Sequence, residues 1–204
     1  MNCGKFIVLE GIDGSGKTTQ CRLLCDYLTG VGIKSVQSSE PTGGECGRLL
    51  RELLGGKAKI SETAMAALFT ADRLDHIENI KKLLAAGTSV VCDRYYFSSY
   101  AYNAHSLPVE DIINLNAICA KQLKPDICIY IDISPAEAMA RITANRSEQN
   151  REIYETEEYL KTVSSRYKRS FELSCNTENV IIIDGERLPE EVFEDVKRAA
   201  SLVL

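Results

Sequence analysis

Residues 11–18 read Gly-Ile-Asp-Gly-Ser-Gly-Lys-Thr and match the spacing G-x-x-x-x-G-K-[ST] at every fixed position. Three glycines let the main chain curl until its N–H groups converge on an anion, and the following helix adds the positive end of its dipole. Lys17 is then placed for the β and γ phosphates of a nucleoside triphosphate, expected to be ATP, and Thr18 offers a hydroxyl to Mg²⁺. Gly11, Ile12, Asp13, Gly14, Ser15, Gly16, Lys17, Thr18 and Thr19 are the expected donor-binding residues, Ile12 and Ser15 through their backbone alone. The competing alternative is a glycine-rich turn with an incidental lysine. The flanks argue against it, because an apolar run at Phe6–Leu9 precedes the loop and Cys21, Leu24, Cys25 and Leu28 follow at helical spacing.

A second chemical pair ends another apolar run, Val90-Val91-Cys92-Asp93-Arg94. In an α/β fold such a carboxylate emerges at the C-terminal end of its strand, beside the phosphate loop, where it can hold Mg²⁺ directly or through water. Arg94 can grip a phosphate with two parallel hydrogen bonds. An ordinary surface ion pair is the alternative, weakened by the company of the phosphate loop. The chain has no N-K-x-D stretch to read guanine, and one acid rather than two ends the 90–93 run. Both observations turn away from GTPases and motor ATPases and toward a kinase of small molecules.

These groups need a scaffold. The 204 residues suit one domain, 1–204, with a substantial core. Phe6–Leu9, a weaker Ser35–Gln37, Ser89–Cys92, Ile127–Ile133 and Val180–Ile183 read as buried parallel strands. Helical patterns separate them: one ends near Gly30, one covers Gly47–Leu54, one runs from Ser61 to Gly87, and one closes at Lys124-Pro125. Ser134-Pro135-Ala136-Glu137 and Leu188-Pro189-Glu190-Glu191 open two more. Alternating strands and helices imply an α/β fold in three layers, with Ser39–Cys46 and Thr143–Thr156 as loops. A net charge of −5 excludes a protein that coats nucleic acid. Eight cysteines without a CxxC pair fit reduced packing thiols. With no run of signal-peptide or membrane-spanning length, the expectation is a cytoplasmic protein with no membrane partner.

Four stretches together, the phosphate loop, Glu40-Pro41-Thr42-Gly43-Gly44, Leu68-Phe69-Thr70-Ala71-Asp72-Arg73 and Asp93-Arg94-Tyr95-Tyr96-Phe97-Ser98-Ser99-Tyr100-Ala101-Tyr102, resemble the thymidylate kinase family from residue 6 to about 185. The resemblance implies a P-loop NTPase fold with a five-stranded parallel sheet, ATP and Mg²⁺, dTMP as acceptor, dTDP as product, and a homodimer. It implies that Phe69 stacks on thymine and that Arg73 reaches a base oxygen; residues four apart on a helix do share a face. Arg51 matches the family's arginine on the acceptor phosphate. Ser98, Ser99, Tyr102 and Asn103 match positions that line the base and its phosphate, and Asp13 matches an acid that receives the 3′-hydroxyl or arranges the metal. Thr18, Asp93 and Glu155 are the implied metal ligands.

The polar segment about 142–155 resembles the family's lid. Relatives without an arginine inside the phosphate loop supply one from the lid, and Gly14 occupies that loop position here, so Arg146 or Arg151 is the expected charge-neutralising finger beside Lys17, Asp13 and Arg94. Arg141 is expected nearer the adenine or the helix end, and Tyr154 with Glu155 near the acceptor sugar and metal. Two rivals stay open: a kinase for another nucleoside or nucleotide, and a module that holds ATP without transferring phosphate. His76 and His105 are assigned no chemistry.

Overall fold

The computed structural model describes residues 3–103, 107–145 and 156–204. Arg146, Arg151, Tyr154, Glu155 and His105 lie outside the described residues. Five strands, β1 (Phe6–Glu10), β2 (Ser35–Ser39), β3 (Ser89–Asp93), β4 (Ile127–Asp132) and β5 (Val180–Asp184), form one parallel sheet in the order β2-β3-β1-β4-β5. Eight helices are described: α1 (Lys17–Gly30), α2 (Glu45–Leu54), α3 (Glu62–Ala85), α4 (Tyr96–Tyr102), α5 (Val109–Gln122), α6 (Pro135–Asn145), α7 (Glu157–Ser174) and α8 (Pro189–Ala200).

Alternation along the central strands divides the core. Phe6, Val8, Val90, Cys92, Cys128 and Tyr130 face α3 to α7, whereas Ile7, Leu9, Val91, Ile127, Ile129 and Ile131 face α1 and α8. Because side chains of a strand point alternately to opposite faces, a strand buried on both sides reads as an unbroken apolar run, which is why these strands were visible in the sequence. The five expected strands are present and shifted by at most two residues at an end.

The helix ends follow local chemistry. The Ser61 hydroxyl caps α3 by accepting from the Ala64 amide at 3.2 Å, and the Ser134 hydroxyl accepts from the Glu137 amide at 3.3 Å. At α8 the Glu191 carboxylate accepts from the Leu188 amide at 3.2 Å. Two loop expectations need correction. Glu45 and Cys46 belong to α2, and Thr143 to Asn145 belong to α6, rather than to loops. On α2 the buried leucines are Leu50 and Leu53, and Leu49 is 45% exposed. On α1, Cys21, Leu24 and Leu28 are buried, and the half-buried Cys25 packs against the same cluster.

Candidate active site

The phosphate loop joins β1 to α1. Gly14 and Gly16 have φ of 82° and 86°, a left-handed conformation that side chains other than glycine disfavour. Lys17 is the first residue of α1 and is buried; its Nζ donates to the Ile12 carbonyl at 3.2 Å and lies 3.7 Å from Asp13 Oδ1. Burial pushes the Lys17 ammonium below its ordinary pKa and Arg94 adds to this, while Asp13 and Asp93 act the other way. An anion arriving in the loop would offset both unfavourable contributions.

Asp93 ends β3, and the Thr18 hydroxyl donates to its Oδ2. Its Oδ1 is buried and has no hydrogen-bond partner among the described residues. A hydroxyl touching a carboxylate that keeps one buried oxygen unspent fits a hard divalent cation or a water of its shell. Among the described residues no cluster of three or more His, Cys, Asp or Glu could cage a metal.

Arg94 follows at φ 73°, the one residue other than glycine with positive φ among the described residues. Its Nη2 is paired with Asp13, its Nη1 donates to Ser98 Oγ at 3.0 Å, and its guanidinium lies 4.8 Å from the Tyr102 ring centroid. Burial opposes its charge, but Asp13 and the neighbouring groups more than offset this, and the pKa stands well above the ordinary value. The Tyr102 hydroxyl donates to Asp13 Oδ2 and accepts from the Asp13 amide, both at 3.0 Å. Donor loop and arginine are thereby tied together.

A cavity of about 270 Å³ opens beside this cluster. Its wall takes Asp13 from the phosphate loop, Glu40 and Pro41 from the turn after β2, Leu54 from α2, Met65, Phe69 and Arg73 from α3, Arg94, Ser98, Ser99, Tyr102 and Asn103 from β3–α4, and Tyr159 from α7. Arg51 is not on this wall; it is exposed, and its Nη1 donates to the carbonyl of Pro41 at 3.0 Å. Thr19 is exposed on α1. Arg141, from α6, donates to Glu137 at 2.7 Å and to the Gly185 carbonyl at 3.0 Å, joining the helix to the β5–α8 connection.

Arg73 is only 1% exposed, and its N–H groups go to Glu40 Oε2 (2.8 Å from Nε and 2.7 Å from Nη2), Ser99 Oγ (3.0 Å), Asn116 Oδ1 and the Tyr95 carbonyl (3.1 Å). Its side chain therefore organises the wall, and a base oxygen would share one of these donors. The Ser99 hydroxyl accepts from Arg73 and from Asn103 Nδ2 at 3.2 Å, which leaves its own proton to donate.

Several residues of this network were not singled out by the sequence. Glu40 Oε1 pairs with His76 Nδ1 at 3.0 Å, and His76 Nε2 meets the Ser38 hydroxyl at 2.6 Å. Asp72 accepts from the Thr42 amide at 2.8 Å and its hydroxyl at 2.6 Å. Adjacent residues of α3 thus hold the Glu40–Thr42 turn by both ends. The available signal was charge inside an apolar helix face, since Asp72, Arg73 and His76 are buried.

The thymidylate kinase family model matches residues 9–196. A probable thymidylate kinase of Methanococcus aeolicus is 38% identical over 203 residues, covering 94% of this chain and 93% of the relative. One of Thermococcus kodakarensis is 37% identical over 98% of this chain and 95% of its own length, and the thymidylate kinase of Leptospira borgpetersenii is 37% identical over 93% and 90%. A glycine cradle at the end of β1, an acid and arginine at the end of β3, and sequence likeness over nearly the full length agree: the chain belongs to the thymidylate kinase family.

Proposed function

We propose that the protein transfers the γ-phosphoryl group of ATP to dTMP, giving dTDP and ADP. The observation that carries this reading is the shared wall of the cavity, where Asp13 of the donor loop stands with Arg94, Phe69, Arg73 and Ser99. The acceptor is a phosphate monoester whose second pKa is about 6, so it arrives mostly as a dianion and needs no strong general base. The chain's task is to bring two anions together and stabilise the transferred group. Lys17 serves the donor phosphates, and Arg94 the acceptor phosphate, with Arg51 at the rim joining it. Phe69 offers a face to the base and the Ser99 hydroxyl a proton to a base oxygen. Thr18 and Asp93 would hold Mg²⁺, with Glu155 as a further ligand; the ion would supply charge neutralisation at the phosphates. Arg146 or Arg151 completes the positive surround from the lid, and closure excludes water. The chain acts as a single kinase domain, as a homodimer, in the cytoplasm.

A coupled ADP-release assay across dTMP, dUMP, UMP, CMP and thymidine tests the reading, with dTMP expected to be preferred. A preference for thymidine would overturn the monophosphate assignment. ATP binding without dTDP formation would overturn phosphoryl transfer altogether.

A further inference from the structure

Glu10 is the last residue of β1 and is fully buried; it does not itself line the cavity but lies directly behind Ser98 of its wall. Buried carboxylates are rare unless paired or saturated with donors. This one is saturated. Its Oε1 accepts from the backbone amides of Tyr95 at 2.8 Å and Ser98 at 3.1 Å, at the start of α4. Its Oε2 accepts from the hydroxyls of Ser98 at 2.6 Å and Tyr167 at 2.8 Å. Burial pushes its carboxyl above the ordinary value, and Ser98, Arg94, the Tyr95 amide and Tyr167 act against that. Two obligate amide donors meet Oε1, and the two hydroxyls at Oε2, which also lie 2.9 Å from each other, can both donate to a carboxylate.

The consequence reaches Arg94. Once the single Ser98 proton is committed to Glu10, the Ser98 oxygen has only lone pairs to offer, and it receives Arg94 Nη1 at 3.0 Å. The two amide bonds of Glu10 hold residues 95–98, the turn that directly follows Arg94 at φ 73°. We infer that Glu10 is a positioning residue for the acceptor phosphate, fixing Arg94 through the Tyr95–Ser98 turn and through the proton orientation of the Ser98 hydroxyl. This rests on the proposed dTMP kinase reading. A glutamine at position 10 retains the shape and one acceptor oxygen, yet its amide donates to the Ser98 oxygen and competes with Arg94 there. An ångström of misplacement in such a group costs on the order of a hundredfold in rate.

The test compares wild type, Glu10→Gln, Arg94→Ala and the double variant, measuring dTMP and ATP dissociation constants by calorimetry, steady-state kinetics, and thermal unfolding. Glu10→Gln is expected to lower kcat/KM for dTMP about 10- to 100-fold, with ATP affinity within about twofold. In the Arg94→Ala background the same change should weaken dTMP binding by less than about twofold, because its route is already gone. A purely structural glutamate would reduce the active fraction and leave KM for dTMP as in wild type. Unchanged dTMP affinity and kcat/KM in folded Glu10→Gln, or losses that multiply fully in the double variant, overturn the positioning role. Should Glu10→Gln not fold, Glu10→Asp, which keeps the charge and withdraws it by one methylene, takes its place in the cycle, and the same two results support or overturn the role. Failure of wild type itself to bind dTMP is a separate outcome that refutes the kinase reading and the positioning role with it.

Discussion

Gly14 and Gly16 share nearly the same left-handed φ, 82° and 86°, but not the same surroundings. A Cβ on Gly16 would meet nothing within 4 Å, whereas one on Gly14 would lie 2.7 Å from the Ala138 carbonyl oxygen and 3.2 Å from two further backbone atoms of α6. Gly16→Ala therefore carries only the backbone cost of left-handed geometry, about 1–2 kcal/mol. Gly14→Ala carries that cost and also forces the phosphate loop away from α6, adding about 1–3 kcal/mol of overpacking. Urea unfolding of ligand-free protein should separate the two, with Gly14→Ala the less stable by about 1–3 kcal/mol at an unchanged m-value. Equal midpoints would contradict this account, since they would mean that α6 yields freely and that the close approach is inconsequential. The same contact bears on the lid. Gly14 stands where some relatives are implied to carry a loop arginine, and Gly14→Arg meets the same backbone wall before its guanidinium can reach a phosphate.

Arg94→Ala should lower turnover of dTMP by at least about a hundredfold while leaving ATP affinity nearly unchanged; equal loss of both would show that Arg94 holds the donor loop instead. Arg73→Met leaves the Glu40 carboxylate buried without its guanidinium and should cost about 3–5 kcal/mol of stability, read by denaturant unfolding, and a loss under about 1 kcal/mol would contradict the assigned network. Ellman's reagent at neutral pH should find Cys3 and Cys175 fast, as they are exposed, and the buried Cys21, Cys92, Cys119 and Cys128 slow. Burial pushes the half-buried Cys25 thiol up to about 11, so its modification rate should still be climbing above about pH 9, and a plateau near pH 9 would count against that burial.

Spacing along the chain made the strands, the phosphate loop and the Asp93-Arg94 pair legible, because each depends on neighbours in sequence. β2 was the faintest strand; it is an edge strand with only partial burial, as is β5, but its Ser-Val-Gln-Ser-Ser lacks the apolar run that made Val180–Ile183 legible. The start of α2 was missed by two residues, since Gly44 caps it with no side-chain hydrogen bond for a pattern to announce. Phe69 and Arg73 were placed on one face by their four-residue separation, and both line the cavity. That the donors of Arg73 end on Glu40, Ser99, Asn116 and the Tyr95 carbonyl could not be read, because those partners come from the turn after β2, from α4, from α5 and from the end of β3. Glu10 was hidden for the opposite reason. It closes an apolar run whose boundary was set where hydrophobicity ends, although the strand continues through the acid.

The register of the sheet sets a scale for the chemistry. Leu9 pairs with Asp93 across β1 and β3, and the Arg94 amide continues that ladder by donating to the Leu9 carbonyl at 3.0 Å. The phosphate loop and Arg94, proposed for the acceptor phosphate, therefore spring from adjacent rungs of two hydrogen-bonded strands, about 4.8 Å apart. Such a caliper is among the least deformable in a protein, for its jaws are buried on both faces. Variation among acceptors must then be absorbed by the helices that carry Phe69 and Tyr159, while the gap across which phosphate travels stays nearly constant.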